Sequence, residues 1–266
     1  MPEGDTVHLT AAHQHAALAG RVLTGVELRV PRFATADLTG WTVREVVAIG
    51  KHLLHRMSSP EGDELTLHSH LKMEGAWRTV APGARWPRPA FQARAVLTTA
   101  DVVAIGFDLG IAELVPTAEE HTVVGHLGPD LLGDWDATSA ADAVRRLGEH
   151  PETAVFVGLL EQRNVAGIGN VYANELCFVR GLLPTRPIGE AGDLRAIVDL
   201  ARRMLFSNRA RFTRTTTGDL RPGRRTWVYG RTGEPCRRCG TTLLGGELGR
   251  REGEERVVTW CPRCQT

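Results

Sequence analysis

Hydrophobic and polar positions divide the chain into a helix, a strand-rich stretch and a helix-rich stretch. Residues 5–19 (DTVHLTAAHQHAALA) predict a helix that Asp5 or Thr6 can cap and that Gly20 follows. Residues 21–115 then read mostly as strands. Examples are RVLTGVELRV (21–30), WTVREVVAI (41–49), HLLHRM (52–57), ELTLHSH (64–70) and FQARAVLTT (91–99). Their β-branched and apolar residues partly alternate and are broken by Gly, Pro and Asp, which predicts an antiparallel sandwich or barrel. Beyond about residue 116, Leu, Val and Ala recur three and four apart, predicting helices over 138–149, 152–161, 170–179 and 190–207. Residues 208–225, rich in Arg, Thr and Gly, read as a mobile loop or linker. Residues 226–266 hold short strand-like runs around paired cysteines.

The 266 residues leave room for one large domain or two modest ones. Apolar residues at 42% and charged residues at 24% fit a globular chain and argue against a disordered or fibrous one. No stretch approaches the roughly 18 consecutive apolar residues of a membrane helix. The start lacks a basic region followed by an apolar one, so a cytoplasmic protein without a membrane partner is expected. Of five cysteines, four form two Cys-x-x-Cys pairs, which favours an intracellular metal site over disulfides.

The net charge of +1 conceals an asymmetry. Residues 202–266 carry 15 Arg against 6 acidic residues, a balance of +9, and the remainder carries −8. A basic end of this kind suggests a polyanion partner, with a solvated charged face as the alternative. Only Lys51 and Lys72 break the dominance of arginine. Lysine can lose its proton and do amine chemistry, which arginine cannot readily do; chance survival is the alternative.

Cys236-x-x-Cys239 and Cys261-x-x-Cys264 stand 21 residues apart, just beyond the usual spacing for a four-cysteine site. Four thiolates can close a tetrahedral shell around one structural Zn2+, with no open position for catalysis. The segment is too short to build its own core, so the metal would hold it together. Arg237, Arg238, Arg250, Arg251, Arg256 and Arg263 would then either meet phosphates or form a solvated face. Cys177 is left over and reads as a small buried apolar residue.

In LLEQRNVAGIGNVYANE (159–175), a helix end runs into Gly167 and Gly169, and a second helix starts near Asn170. Glycines permit unusual backbone and close approach, and amides at the helix start can bind phosphate. The alternative is that Asn170 is an ordinary N-cap. The chain begins Met1-Pro2-Glu3-Gly4. Pro2 is small enough to favour removal of Met1, which exposes a secondary amine. Terminal amines titrate near about pH 7.7–8.0, so a useful fraction is neutral and can attack an aldehyde-like carbon. Glu3 is placed to move protons.

The start MPEGDTVH, the segment GKHLL (50–54), the turn GIGNVYANE (167–175) and the end VYGRTGEPCRRCG…RVVTWCPRCQ (228–265) occur in this order. Together they closely resemble the formamidopyrimidine-DNA glycosylase and endonuclease VIII family over nearly the whole chain. The PEG start resembles the endonuclease VIII branch. The resemblance implies an α+β fold in three parts: an N-terminal antiparallel β-sandwich (1–120), a helix-two-turn-helix domain (121–225) and a C-terminal zinc-finger β-hairpin (226–266). Damaged double-stranded DNA would lie in the cleft between, and a monomer suffices.

Its implied roles fall on particular residues. Pro2 matches the nucleophile that attacks the sugar C1′, and Glu3 the acidic catalyst. Lys51 matches the lysine of β-elimination. Arg256 matches the zinc-finger arginine of phosphate contact and δ-elimination. Asn170 matches the phosphate-holding asparagine. HLKMEG (70–75) resembles the turn that fills the gap left by an extracted base, with Met73 as wedge and Lys72 near the backbone; core packing is the alternative for Met73. His126 stands where relatives carry a basic phosphate contact.

The expected activity is that of a bifunctional DNA glycosylase/AP lyase of base excision repair, removing oxidised bases, pyrimidines preferred, with β,δ-elimination. No redox or nucleotide cofactor is implied. One departure bears on substrate: the purine branch's Arg and Phe pair is missing from GFDLGIAEL (106–114). The alternatives are an oxidised-purine glycosylase or abasic-site lyase of the same family, and a non-catalytic zinc-finger protein that binds damaged DNA. A further alternative is a metal hydrolase built on His52, His55, His68 and His70, against which no carboxylate stands at a recognisable ligand spacing.

Overall fold

The computed structural model describes residues 2–266. The chain divides into two compact units, Met1–His126 and Leu127–Thr266. The first holds helix α1 (Gly4–Leu18) and strands β1 (Leu23–Leu28), β2 (Thr42–Ile49), β3 (His52–Ser58), β4 (Glu64–His70), β5 (Ala76–Val80), β6 (Ala93–Thr99), β7 (Val103–Phe107) and β8 (Ile111–Pro116), then a short helix α2 (His121–Val124). The second holds α3 (Ala137–Gly148), α4 (Val155–Leu160), α5 (Asn170–Arg180) and α6 (Leu194–Asn208), then strands β9 (Leu244–Leu248) and β10 (Arg256–Trp260).

The strands of the first unit form two four-stranded antiparallel sheets, ordered β1-β6-β7-β5 and β2-β3-β4-β8. The alternation seen in the sequence sets which side chains meet. Leu53 and Met57 of β3, Leu67 of β4, Leu97 of β6 and Ala104 of β7 pack with Val7, Ala11 and Leu18 of α1 in one core. Each such fully buried Leu contributes about 1.5–3 kcal/mol. A smaller cluster, Val96, Ile105 and Phe107 with Trp86, lies apart from that core.

In the second unit Ala143 and Leu147 of α3, Phe156 of α4, Tyr172 and Leu176 of α5, and Ile197, Ala201 and Leu205 of α6 form the core. Side chains of Asp136 and Asp193 cap α3 and α6 by accepting from Ser139 N and Ala196 N. Helix α5 ends at Gly181, whose left-handed backbone (φ 71°) lets the chain turn back, with Leu182 N donating to Cys177 O. The paired strands β9 and β10 carry the cysteine segment, which packs on α5 through Phe178, Val228 and Leu243.

Several local expectations change. The N-cap of α1 is Glu3 rather than Asp5 or Thr6, and the N-cap of α5 is Gly169 rather than Asn170. Helix α4 is shorter than 152–161, and α6 begins at Leu194 after a separate turn at Ile188–Glu190. Residues 209–225 have no regular element, yet the segment is pinned. The Asn208 carboxamide bonds both Thr215 N and Thr215 O at 2.9 Å, and Thr216 N donates to Arg225 O at 2.8 Å. No helix among the described residues is long and apolar enough to cross a membrane.

Candidate catalytic and nucleic-acid-binding residues

In the first unit the chain start and the face of the β2-β3-β4-β8 sheet away from the core hold the candidates. Pro2 is half-buried, and Glu3 is fully buried at the N-cap of α1, where its carbonyl accepts from Val7 N at 3.0 Å. The helix N-terminus behind it favours negative charge. Met1 lies outside the described residues. Lys51, half-buried, follows the left-handed Gly50 (φ 59°) in the turn between β2 and β3.

Lys51 and Lys72 both lie near the His70 ring. Burial first, then the charges of Lys72 and Lys51, push His70 down to about 4. Lys72 has a left-handed backbone (φ 51°), and its N–H donates to His70 Nδ1 at 2.9 Å. That turn presents Met73 outward at 58% exposure, so Met73 is not a core residue. Nearby, Arg88 Nη1 donates to Glu74 O and to Asp108 Oδ2, each at 3.0 Å, and so braces the same turn.

The register pairs His52 with His70 and His68 with Glu113 across neighbouring strands, so these side chains share one face. His52 Nδ1 lies 2.7 Å from His68 Nε2, and His68 Nδ1 lies 2.9 Å from Glu113 Oε1. The exposed His126 ring stands edge-on to His52 at 6.0 Å. Burial, reinforced by neighbouring positive groups, pushes His52 down to about 3. At neutral pH the His52 and His70 rings are therefore uncharged.

His55 lies on the opposite face, buried against Trp77 at 4.6 Å. The four histidines thus do not converge, and among the described residues only the cysteines group as metal ligands. The metal-hydrolase alternative loses its site. Glu113 and Arg88 escape sequence reasoning, which groups His52 and His68 only as metal ligands. The alternation within HSH (68–70) signalled one face, but strand pairing is non-local.

In the second unit Gly167 has a left-handed backbone (φ 106°) that side chains rarely adopt. The Gln162 side chain staples the turn, accepting from Gly167 N at 3.1 Å and donating to Ile168 O at 2.9 Å. This sets the start of α5 and Asn170, which is 5% exposed and whose Oδ1 accepts from Asn174 Nδ2 at 3.1 Å. Glu175, fully buried, accepts from the amides of Trp227 (2.7 Å), Val228 (2.8 Å) and Tyr229 (2.8 Å), and from Thr216 Oγ1. Burial raises its pKa against the pull of these donors. One carboxylate so ties α5 to the Thr-rich loop and to the entry of the cysteine segment.

The four cysteine Sγ atoms all lie within 4.8 Å of one another, with Cys239 and Cys261 3.5 Å apart. Zn–S bonds of about 2.3 Å in a tetrahedron require S···S separations of roughly 3.8 Å, so the donor set fits a metal ion. Cys177 is apart from them and fully buried, its thiol pushed up to about 12 by burial.

Arg256 opens β10, is exposed, and donates to the carbonyls of Glu254 (3.1 Å) and Glu255 (2.9 Å). Not all six arginines of this end are uncommitted. Arg237 donates to Thr226 O at 2.9 Å, Arg238 stacks over Phe178 at 4.5 Å, and Arg250 pairs with Glu161 at 3.3 Å.

Comparison with known proteins agrees with this arrangement. A solved structure of Lactococcus lactis Fpg in complex with abasic-site DNA has the same fold, with a TM-score of 0.79, 23% identity and 99% of each chain covered. Residues 1–108 match the formamidopyrimidine-DNA glycosylase N-terminal domain. The whole chain is 52% identical to the DNA-(apurinic or apyrimidinic site) lyase Nei2 of Mycolicibacterium smegmatis, covering 99% of that protein. It is 48% identical to endonuclease 8 2 of Mycobacterium tuberculosis over the full length of both. The fold class is thus that of a DNA repair glycosylase. The chain belongs to the formamidopyrimidine-DNA glycosylase and endonuclease VIII family, in the endonuclease VIII branch.

Proposed function

We propose that this protein is a bifunctional DNA glycosylase/AP lyase of base excision repair, with oxidised pyrimidines as its preferred bases. The observation that carries this reading is the full-length 52% identity to a relative named an AP lyase. The half-buried Pro2 beside the buried Glu3 supports it.

A stacked base is out of reach, so the enzyme unstacks and flips the damaged nucleotide, at a cost of a few kcal/mol that damage lowers. With Met1 removed, the Pro2 nitrogen attacks C1′ and the base leaves, with Glu3 moving the protons. The resulting iminium makes the C2′ proton acidic. Lys51 moves protons during β-elimination, which cuts the strand on the 3′ side. Arg256 assists δ-elimination, which leaves a one-nucleotide gap. Asn170, Lys72 and His126 contact the backbone, and Met73 fills the vacated stack.

The pyrimidine preference is supported by the β7–β8 connection. It spans only Asp108–Gly110, with Leu109 buried and a Cβ on Gly110 blocked 2.1 Å from Lys72 Cγ. None of the three turn residues is an Arg or a Phe. Cys236, Cys239, Cys261 and Cys264 would hold one structural Zn2+, which holds the hairpin together and takes no part in bond breaking. Segments 1–120, 121–225 and 226–266 are read as the sandwich, the helix-two-turn-helix part and the finger of a cytoplasmic monomer acting on damaged duplex DNA.

The test is borohydride trapping on an abasic-site duplex, with wild type and Pro2→Gly in parallel and intact mass to verify loss of Met1. A covalent adduct with wild type alone is expected. No adduct from processed, zinc-loaded, DNA-binding protein would overturn the lyase reading in favour of a non-catalytic damage binder.

A further inference from the structure

Strand β10 pairs with β9 along one edge. Along it, Asn174, fully buried on α5, accepts from Thr259 N at 2.7 Å and donates from Nδ2 to Val257 O at 3.3 Å. The carboxamide therefore stands in for one residue of a neighbouring strand. The second hydrogen of the same Nδ2 is shared between Asn170 O at 2.8 Å and Asn170 Oδ1 at 3.1 Å. Because Oδ1 of Asn170 is held as an acceptor, its Nδ2 is the end that donates. Arg256 stands one residue before Val257 at the start of the strand.

A single buried amide thus sets both the orientation of the Asn170 side chain and the register of the strand that carries Arg256. We propose that Asn174 is a positioning residue that couples these two phosphate contacts. The inference rests on the reading of Asn170 and Arg256 given under Proposed function.

The chemistry of the side chain gives a discriminating variant. Asn174→Asp keeps an acceptor for Thr259 N–H but has no hydrogen for Asn170 Oδ1. The Asn170 amide then turns to donate inward, and its oxygen faces the phosphate. An acceptor then faces the phosphate oxygens where a donor is needed, so the contact is lost and binding weakens.

The experiment measures binding to a duplex containing a tetrahydrofuran abasic analogue, and the ratio of δ to β products on an abasic duplex. Asn174→Asp is expected to weaken binding at least tenfold in the wild-type chain and less than twofold in an Asn170→Ala chain. Asn174→Ala is expected to lower the δ:β ratio at least threefold, in the direction of Arg256→Ala. Melting temperature and one zinc per chain verify folding. Where Asn174→Asp fails to fold, Asn174→Ala frees the Asn170 carboxamide without adding charge and is expected to weaken binding in the wild-type chain and to change it less than twofold in the Asn170→Ala chain. Unchanged binding, or a loss that persists undiminished without the Asn170 side chain, overturns the coupling. If Asn170→Ala and Arg256→Ala themselves change neither readout, the phosphate-contact reading fails, and this inference with it.

Discussion

His52 Nδ1 meets His68 Nε2 at 2.7 Å, and the other nitrogen of His68 meets Glu113 at 2.9 Å. With both rings neutral, the carboxylate accepts from His68 Nδ1–H, so His68 Nε2 accepts from His52 Nδ1–H. The chain of bonds has one direction and needs no added proton. Burial first, then the positive charge that an added proton would bring beside His70, His68, His126 and Lys72, holds His52 down to about 3.

A pH dependence of stability follows. Unfolded histidine takes up its proton near pH 6.5, whereas folded His52 and His55 hold out to about 3 and His70 to about 4. The unfolded chain therefore binds more protons below pH 6.5, and stability present above that value is lost as pH falls. The fully buried His55 alone accounts for about 2 kcal/mol by pH 5, at about 1.4 kcal/mol per pH unit. In urea unfolding, His55→Leu is expected to narrow the gap between pH 7.5 and pH 5 by that amount. An unchanged gap would mean that His55 is protonated in the fold.

Met73 is exposed, so its removal separates stability from function. Met73→Ala is expected to change unfolding free energy by less than about 0.5 kcal/mol. On a base lesion in duplex DNA its kcat/KM is expected to fall at least tenfold, because the wedge compensates for unstacking. On an abasic site, where no base is flipped, the loss is expected to stay below threefold. Equal losses on both substrates would remove the wedge role.

Lys51 tests whether charge or proton transfer is required. Lys51→Arg keeps the positive charge but cannot readily release a proton. Strand cleavage at a pre-formed abasic site is expected to slow by roughly 10²-fold, within the range of lost acid–base catalysis. Single-turnover rates at saturating enzyme separate this from weaker binding, and an arginine variant with full cleavage rate would assign Lys51 to phosphate contact instead.

Glu175 measures how tightly the second unit is fastened. Glu175→Ala leaves the amides of Trp227, Val228 and Tyr229 without their acceptor. At about 1–3 kcal/mol for each buried donor, the loss is expected to exceed about 3 kcal/mol. Glu175→Gln retains one oxygen and should lose less. Unfolding curves and zinc content give the comparison; equal stability of all three chains would show that the segment is held by packing on Phe178 alone.

Much of this organisation is legible along the chain because it is local. The alternation in 41–49, 52–57 and 64–70 marks strands, since neighbouring residues point to opposite sides. The spacing of Ala140, Ala143 and Leu147 marks one face of a helix. The two Cys-x-x-Cys pairs announce a metal site, because each pair brings its own thiolates together, and the structure places all four within 4.8 Å. The glycine turn and the Pro2-Glu3 start were legible only in combination with the other motifs, because either alone is common.

The remaining features depend on residues far apart in sequence. Pleating alone puts His52 and His55, three positions apart, on opposite sides of β3, but only the packing of Trp77 and the pairing with His68 decide which side is the core. The expected mobility of 208–225 gives way to bonds from Asn208 and Glu175, the latter reaching 41 residues along the chain to Thr216. Asn174 meets Thr259 across 85 residues. Sequence periodicity reports the direction a side chain takes from its own element. It carries no information on which element folds against that face, because pairing and packing are settled only when buried donors, acceptors and volumes from distant segments are satisfied together.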